Sequence, residues 1–363
     1  MVGVKDLIDV RGAVTTGGGV ILAEVPAETD APVIERLRGH GCTVVGKLNL
    51  HEWALGVTSA NPHYGAVLNP HDPSRIAGGS SGGCAAAVSL GICDWTIGTD
   101  TGGSIRIPAA LCGVVGIRPS LGVVSTERVI PLAPSQDTVG PIACDVRTAA
   151  RALELMSALD LRIPASAPGL REFKLAVPAG WVGGLDLPTR EAWSQIAREL
   201  PRIPFPSRER MAASAITIAL YEAAQYHRAW LHDDPTRYGS DVRSQLQRGM
   251  SIVDEEYAAA LRDRELFTEE TEIALGGWDA ILLPTTACIA PLVGQSDVHD
   301  SLVRFTRPLS LTGQPAISLP APHSTPLPVG IQVAGKRGDD AGLAAVALAL
   351  EAAWSGHRPA SIE

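Results

Sequence analysis

The sequence predicts an α/β fold, and three features predict it: strand-length apolar runs bounded by glycine turns, helical-period runs between them, and no internal repeat. The strand-like runs crowd between about residues 61 and 140, a stretch rich in Gly, Ser and Pro that is not of low complexity. Residues 92–98 (ICDWTIG) read as a buried strand, and WDAILLPT and PVGIQVAG near the end read as two more. Residues 83–90 (GCAAAVSL) read as a helix of small residues stopped by Gly91. Asp145 is a candidate N-cap for RTAARALELMSAL, where Ala152, Leu155, Met156 and Leu159 recur at helical spacing. Residues 186–275 are more charged and mostly helical in pattern. A last helix follows Asp339 and Asp340, with Leu343, Val346, Ala347 and Leu350 on one face and Gly356 and Pro359 as stop signals.

With 363 residues, 45% hydrophobic and 19% charged, the chain can bury one large domain or two ordinary ones and is too apolar to be disordered. A net charge of −9, only four lysines and no basic stripe argue against nucleic acid as the default partner. The six cysteines (Cys42, Cys84, Cys93, Cys112, Cys144, Cys288) include no C-x-x-C pair, so they read as buried small hydrophobes in a reducing compartment. MVGVKDLIDV lacks a basic region followed by an apolar core, and no apolar run reaches the roughly 18–20 residues of a membrane span. A cytoplasmic protein is expected.

Two glycine–serine loops dominate the chemistry: GGSSGG at Gly78–Gly83 and GTDTGGSIR at Gly98–Arg106. Neither matches G-x-x-x-x-G-K-[ST] or the dinucleotide spacing, which disfavours a nucleotide cradle. Acyl transfer instead needs an exposed hydroxyl, a base, and backbone N–H groups aimed at the developing oxyanion. Glycines beside a serine supply converging amides because the backbone can turn sharply without Cβ, and Thr101-Gly102-Gly103-Ser104 is built that way. Ser104 is not in a G-x-S-x-G elbow and no S-x-x-K is present. His51, His63 and His71 read as surface or supporting groups. Spacing alone leaves the base unassigned.

The run GGSSGG…GTDTGGSIRIPA resembles the core signature of the amidase signature family, serine hydrolases with a Ser–cis-Ser–Lys triad. The similarity continues in VGVKDLIDVRG, VGKLNLHEWALGVTSANPHYG, DTVGPIA, YHRAW, LLPTTACIAP, FTRPLSLTGQPAISLP and LPVGIQVAGKRGDD, covering nearly the whole chain. The resemblance implies a central mixed, twisted β-sheet flanked on both faces by helices, lacking most of the family's usual N-terminal helical segment. It implies a single domain over residues 1–363: a catalytic core at 1–160, a variable helical pocket region at 186–275, and strands and a helix at 276–363 completing the sheet.

Carried over by position, the resemblance makes Ser104 the nucleophile, Ser80 the bridging serine after a cis peptide bond, and Lys5 the base. Lys47, in GKLNLHEW, matches a scaffold position. The oxyanion hole maps to the backbone N–H groups of Thr101, Gly102, Gly103 and Ser104, with Ser81, Asp100 and Arg106 bracing the loops; a substrate contact for Arg106 stays open. Lys5 must be neutral to accept a proton, and the apolar Val4, Leu7 and Ile8 around it suit that. A continuous hydrogen-bonded chain from Lys5 through Ser80 to Ser104 is expected. Only four residues precede Lys5, however, and a frayed end would leave it hydrated and charged. Cys84 reads as buried filler.

Tyr221, Tyr226, His227 and Trp230 are candidate pocket walls, or equally the packed face of a helix. The function implied is hydrolysis of a small carboxamide or urea-like C–N bond through an acyl-Ser104 intermediate, with no cofactor and no metal. One alternative is an amidotransferase subunit that works on misacylated tRNA within a complex, to which HEWALGVTSANPHYG looks less similar than to stand-alone hydrolases. The other is a shortened, non-catalytic paralogue. Expected partners are a small-molecule amide and, at most, a second copy in a homodimer, without nucleic acid or membrane.

Overall fold

Ten strands form one mixed sheet in the computed structural model, which describes residues 1–322 and 325–354. They are β1 (Val2–Lys5), β2 (Val44–Leu48), β3 (Trp95–Asp100), β4 (Val115–Arg118), β5 (Thr138–Ala143), β6 (Leu175–Pro178), β7 (Arg202–Ile203), β8 (Ala280–Pro284), β9 (Ala316–Pro320) and β10 (Gly330–Ala334). Across the sheet they run β7-β6-β8-β10-β9-β4-β5-β3-β1-β2. The two flanks, β2-β1-β3 and β7-β6-β8, pair in parallel, and the strands between them are antiparallel. Strands β1, β3, β4, β5, β6, β8 and β10 are buried along their whole length, as their near-continuous apolar runs require in a sheet covered on both faces.

Helices cover both faces. On one lie α1 (Pro32–Gly39), α4 (Val146–Met156), α5 (Leu187–Ala197) and α11 (Asp340–Trp354), packed on Val2, Val4, Ile97, Val177, Leu282 and Val333. On the other, α2 (Gly82–Ser89) and α3 (Arg106–Cys112) pack through Cys84, Ala85, Val88 and Ala109 on Ile142. Farther along that face, α6 (Arg208–Asp233) and α8 (Asp254–Leu275) cover Ala176, Ile281 and Leu283. Leu282 faces one side while Ile281 and Leu283 face the other, the period-two alternation of a strand. The helix α7 (Ser240–Met250) follows α6, and the short α9 (His299–Val303) and α10 (Arg307–Leu311) precede β9.

The Asp145 carboxylate accepts the Thr148 N–H at 2.7 Å, the N-cap read from the sequence. The buried seam of α4 is Ala149, Ala152, Leu153 and Met156; Leu155 is half-buried, and Leu159 lies beyond Ser157, whose hydroxyl bonds the Leu153 carbonyl and closes the last turn. The strand expected at 92–98 starts at Trp95, because Ile92 is turned out at 58% exposure. Leu343, Val346, Ala347 and Leu350 are all buried in α11, while Gly356 and Pro359 lie outside the described residues. All six cysteines are unbridged, but only Cys84, Cys93 and Cys112 are buried. Cys144 is exposed beside the α4 N-cap, and Cys42 and Cys288 are half-buried, which corrects the expectation that all six are core filler. Among the described residues, no helix is long and apolar enough to cross a membrane.

Candidate active site

Lys5 is the last residue of β1, hydrogen-bonded between β2 and β3, so this end is not frayed. Val2 and Val4 face the core under α1 and α4, and alternation turns Lys5 towards α2 on the other face. Its side chain has no solvent exposure. Nζ donates to Ser80 Oγ at 2.7 Å and to Thr99 Oγ1 at 2.8 Å. Burial takes the amine down to about 7, opposed more weakly by Cys84 and by the negative charges of Asp100 and Asp137. Lys47 sits elsewhere: it pairs with Asp6 at 2.8 Å and donates to the Ile8 carbonyl at 2.8 Å and to Thr15 Oγ1 at 2.9 Å. It is the brace expected.

The peptide bond between Gly79 and Ser80 is cis. A Cβ on Gly79 would stand 2.9 Å from Ser59 Oγ and 3.0 Å from the Ser59 backbone nitrogen, so glycine is the residue that fits. The Ser80 carbonyl accepts from the His51 N–H at 3.1 Å and from Ser59 Oγ at 3.2 Å. Ser81 ties the two loops together: its N–H donates to the Ser104 carbonyl at 3.1 Å and its hydroxyl to the Thr99 carbonyl at 3.2 Å.

Asp100 is fully buried and organises the second loop. It meets Arg106 through two 3.0 Å bonds and Arg118 at 3.3 Å, and accepts the Gly103 N–H at 2.8 Å. Burial alone would raise its carboxyl, but Arg106 first, then Arg118 and the backbone N–H of Ile105, hold it well below the usual range. Arg106 is spent within the protein: besides Asp100 it donates to Ser310 Oγ at 2.7 Å and to Gln332 Oε1 at 3.1 Å, without exposure. It braces and does not reach the pocket.

Of the four expected oxyanion donors, the Gly103 N–H is already taken by Asp100. The N–H groups of Thr101, Gly102 and Ser104 have no acceptor among the described residues. Gly103 has φ +132°, and a Cβ there would lie 2.7 Å from Thr306 Cβ and 2.8 Å from Ile107 Cδ1. Thr306 in turn donates to the Gly102 carbonyl at 2.7 Å, fixing that peptide from the outside.

Ser104 is 6% exposed and opens on a narrow pocket of about 40 Å³, walled largely by apolar residues such as Leu55, Val57, Leu132, Ile216 and Ala219. No hydrogen bond joins Ser104 Oγ to Ser80 Oγ or to any other described residue, so the second link of the expected chain is open. Catalytic hydrogen bonds are commonly loose before substrate binds. Cys84 is buried near Lys5, its thiol pushed up to about 12 by burial, and bonds the Ile97 carbonyl: filler, as expected.

The expected pocket walls are not found at this pocket. Tyr221 is two residues past Ala219 and so turned about 200° away round α6; it bonds Asp254 and stacks on Tyr257. Tyr226 and His227 lie two turns farther along the Ala219 face, too distant to line it. His227 is buried against Trp53, Tyr226, Trp230 and Tyr238, bonding the Tyr238 hydroxyl at 3.0 Å. His227 is thus packed within the protein, whereas Tyr226 is 37% exposed and Tyr221 and Trp230 are half-buried.

Sequence reasoning missed Thr99, Asp137, Arg118, His299 and Arg307. Thr99 and Asp137 stand inside quoted motifs but bear no spacing signature: Asp137 accepts Thr101 Oγ1 and the N–H groups of Leu132 and Ala133. Among the described residues, no group of three or more His, Cys, Asp or Glu is placed to hold a metal ion.

A family model described as Amidase matches residues 1–344. A glutamyl-tRNA(Gln) amidotransferase subunit from Methanococcoides burtonii is 32% identical, over 98% of this chain and 85% of that protein. A 1-carboxybiuret hydrolase subunit (AtzE) from a Pseudomonas species is 30% identical, over 91% of this chain and 78% of its own length. Among solved structures, an amidase crystal structure superposes with a TM-score of 0.91 at 36% identity, covering 97% of this chain and 84% of that one.

Proposed function

The chain belongs to the amidase family, and on that premise we propose that it hydrolyses a small carboxamide or urea-like C–N bond through an acyl-Ser104 intermediate. The observation that carries this reading is the 2.7 Å hydrogen bond from a buried Lys5, its amine near 7, to Ser80 Oγ, in the loop that Ser81 ties to the Ser104 carbonyl. Ser104 Oγ attacks the carbonyl carbon while its proton passes to Ser80 Oγ, whose own proton passes to the neutral Lys5 Nζ. The N–H groups of Thr101, Gly102 and Ser104 meet the oxyanion. The proton then returns along the same route to the leaving nitrogen as the C–N bond breaks. Water, deprotonated by the same relay, releases the acid and restores Ser104.

The complete burial of Lys5 within the sheet supports an active enzyme over an inert paralogue. An amide panel tests the reading, with ammonia or amine release measured for the wild type and Ser104→Ala, and with a fluorophosphonate probe tracking Ser104. Release and labelling that both vanish in Ser104→Ala support it; release that survives the substitution defeats it.

A second reading, an amidotransferase component that works only within a complex, draws on the identity with the archaeal amidotransferase protein over almost the whole chain. Ammonia release from glutamine only in the presence of partner proteins and misacylated tRNA would favour it over the stand-alone hydrolase.

A further inference from the structure

Arg307 opens α10 and lines the Ser104 pocket, half-buried, without an ion-pair partner among the described residues. The other two arginines beside Ser104, Arg106 and Arg118, share the carboxylate of Asp100. Arg307 has only the ring of His299, with Nη2 donating to Nε2 at 2.8 Å. Desolvation at the pocket mouth, then the positive charge of Arg307, takes His299 down to about 4, so at neutral pH it accepts this bond uncharged. Burial lowers Arg307 itself only to about 10, and it stays cationic.

The carboxylates nearby are engaged: Asp300 pairs with Arg304, and Asp241 with His51 at 2.9 Å. The negative charge of Asp300 still favours the Arg307 cation at a distance, and Arg248 opposes it with like charge, but neither Asp300 nor Asp241 reaches Arg307 as an ion pair. A half-buried guanidinium facing a pocket whose lining holds no carboxylate is an incomplete ion pair, because burying a charge without a counter-charge is costly. Its position says where the counter-charge belongs. Arg307 Nε would lie 3.6 Å from a Cβ on Gly102, in the loop that offers the free N–H groups. An anion held there sits within a few bonds of a carbonyl carbon facing Ser104.

We propose that Arg307 determines specificity, and that the substrate is a compact amide carrying a carboxylate a few bonds from the scissile carbonyl, seated on the Arg307 guanidinium. The proposal rests on the amide-hydrolysis reading above. A guanidinium offers parallel N–H donors that match a carboxylate, and Arg307 and Ser104 line the same narrow pocket, which favours a short chain between the two functional groups. Monoamides of short dicarboxylic acids have this shape.

The test compares the monoamides of malonic, succinic and glutaric acids with uncharged amides of equal length, in wild type, Arg307→Gln and Arg307→Lys. The ratio of kcat/KM for charged over uncharged amide is expected to fall roughly 10- to 100-fold in Arg307→Gln and to be partly kept in Arg307→Lys. Binding of free malonate, succinate and glutarate, measured by calorimetry, should weaken in the same order. An unchanged ratio, or dicarboxylate binding that is absent in wild type or indifferent to Arg307→Gln, overturns the proposal. Fluorophosphonate labelling of Ser104 in the same samples judges the amidase reading separately. A labelled serine with no carboxylate preference sinks only the inference; an unlabelled serine with Arg307-dependent dicarboxylate binding sinks only the hydrolytic reading.

Discussion

Lys5 Nζ and Ser80 Oγ lie 2.7 Å apart, 75 residues apart in sequence, and the lysine reaches this position with no solvent exposure. Lys47, the other lysine of the N-terminal region, is spent on Asp6 and the turn around Thr15. The two lysines therefore separate by experiment. Lys5→Ala should cut kcat roughly 100- to 10,000-fold and slow fluorophosphonate labelling of Ser104. Lys47→Ala should retain turnover per folded molecule while losing about 1–3 kcal/mol of stability, since Asp6 loses its partner. Urea titration alongside initial rates checks both.

The depressed Lys5 amine should make activity rise through about pH 7 and native stability rise above it. Protonated Lys5 accepts no proton, so kcat/KM should climb as pH passes about 7 and then level off. In the unfolded chain the lysine titrates near 10.4, so between about 7 and 10.4 the unfolded state binds more protons and native stability increases with pH. Below about 7 the native state must bury a charged amine, a penalty on the order of 4 kcal/mol. Lys5→Met should be inactive, gain stability relative to wild type at pH 6, and flatten the pH dependence. Thermal denaturation at pH 6 and pH 9 decides it.

Asp100 neutralises two buried arginines at once. Asp100→Asn should destabilise the protein by roughly 3–5 kcal/mol, because both guanidinium groups would remain buried with no anion. The loop from Thr101 to Ser104 should lose its setting with it. Chemical denaturation and the labelling rate of Ser104 give the two readouts.

The pocket is walled by Ala219 and Ile216 of α6, not by the tyrosines of that helix. Ala219→Leu should raise KM or exclude longer amides, whereas Tyr221→Phe should leave kcat/KM within about threefold. A large loss in Tyr221→Phe would mean the pocket extends farther along α6 than its lining indicates.

The two serine loops could be read from the chain because glycine and serine cluster there within a few residues, and the backbone geometry is local. Lys5 was legible only through family resemblance: its partners Ser80 and Thr99 come to it through sheet pairing. The pocket wall was harder still. Ala215, Ala219, Tyr226 and His227 share one face of α6, and only the packing of α6 against α10 decides which turn of it meets Ser104. Arg307 carries no local signature, and its meaning arises from the carboxylate it lacks.

The double attachment of Ser81, by its N–H to the Ser104 carbonyl and by its hydroxyl to Thr99, clamps both reactive loops to one strand. On the proposed mechanism, fluctuations of the surrounding helices should then carry the Ser80 and Ser104 hydroxyls together. Warming should therefore leave the reactivity of Ser104 intact until the whole sheet melts, with inactivation and unfolding superimposed on one thermal curve.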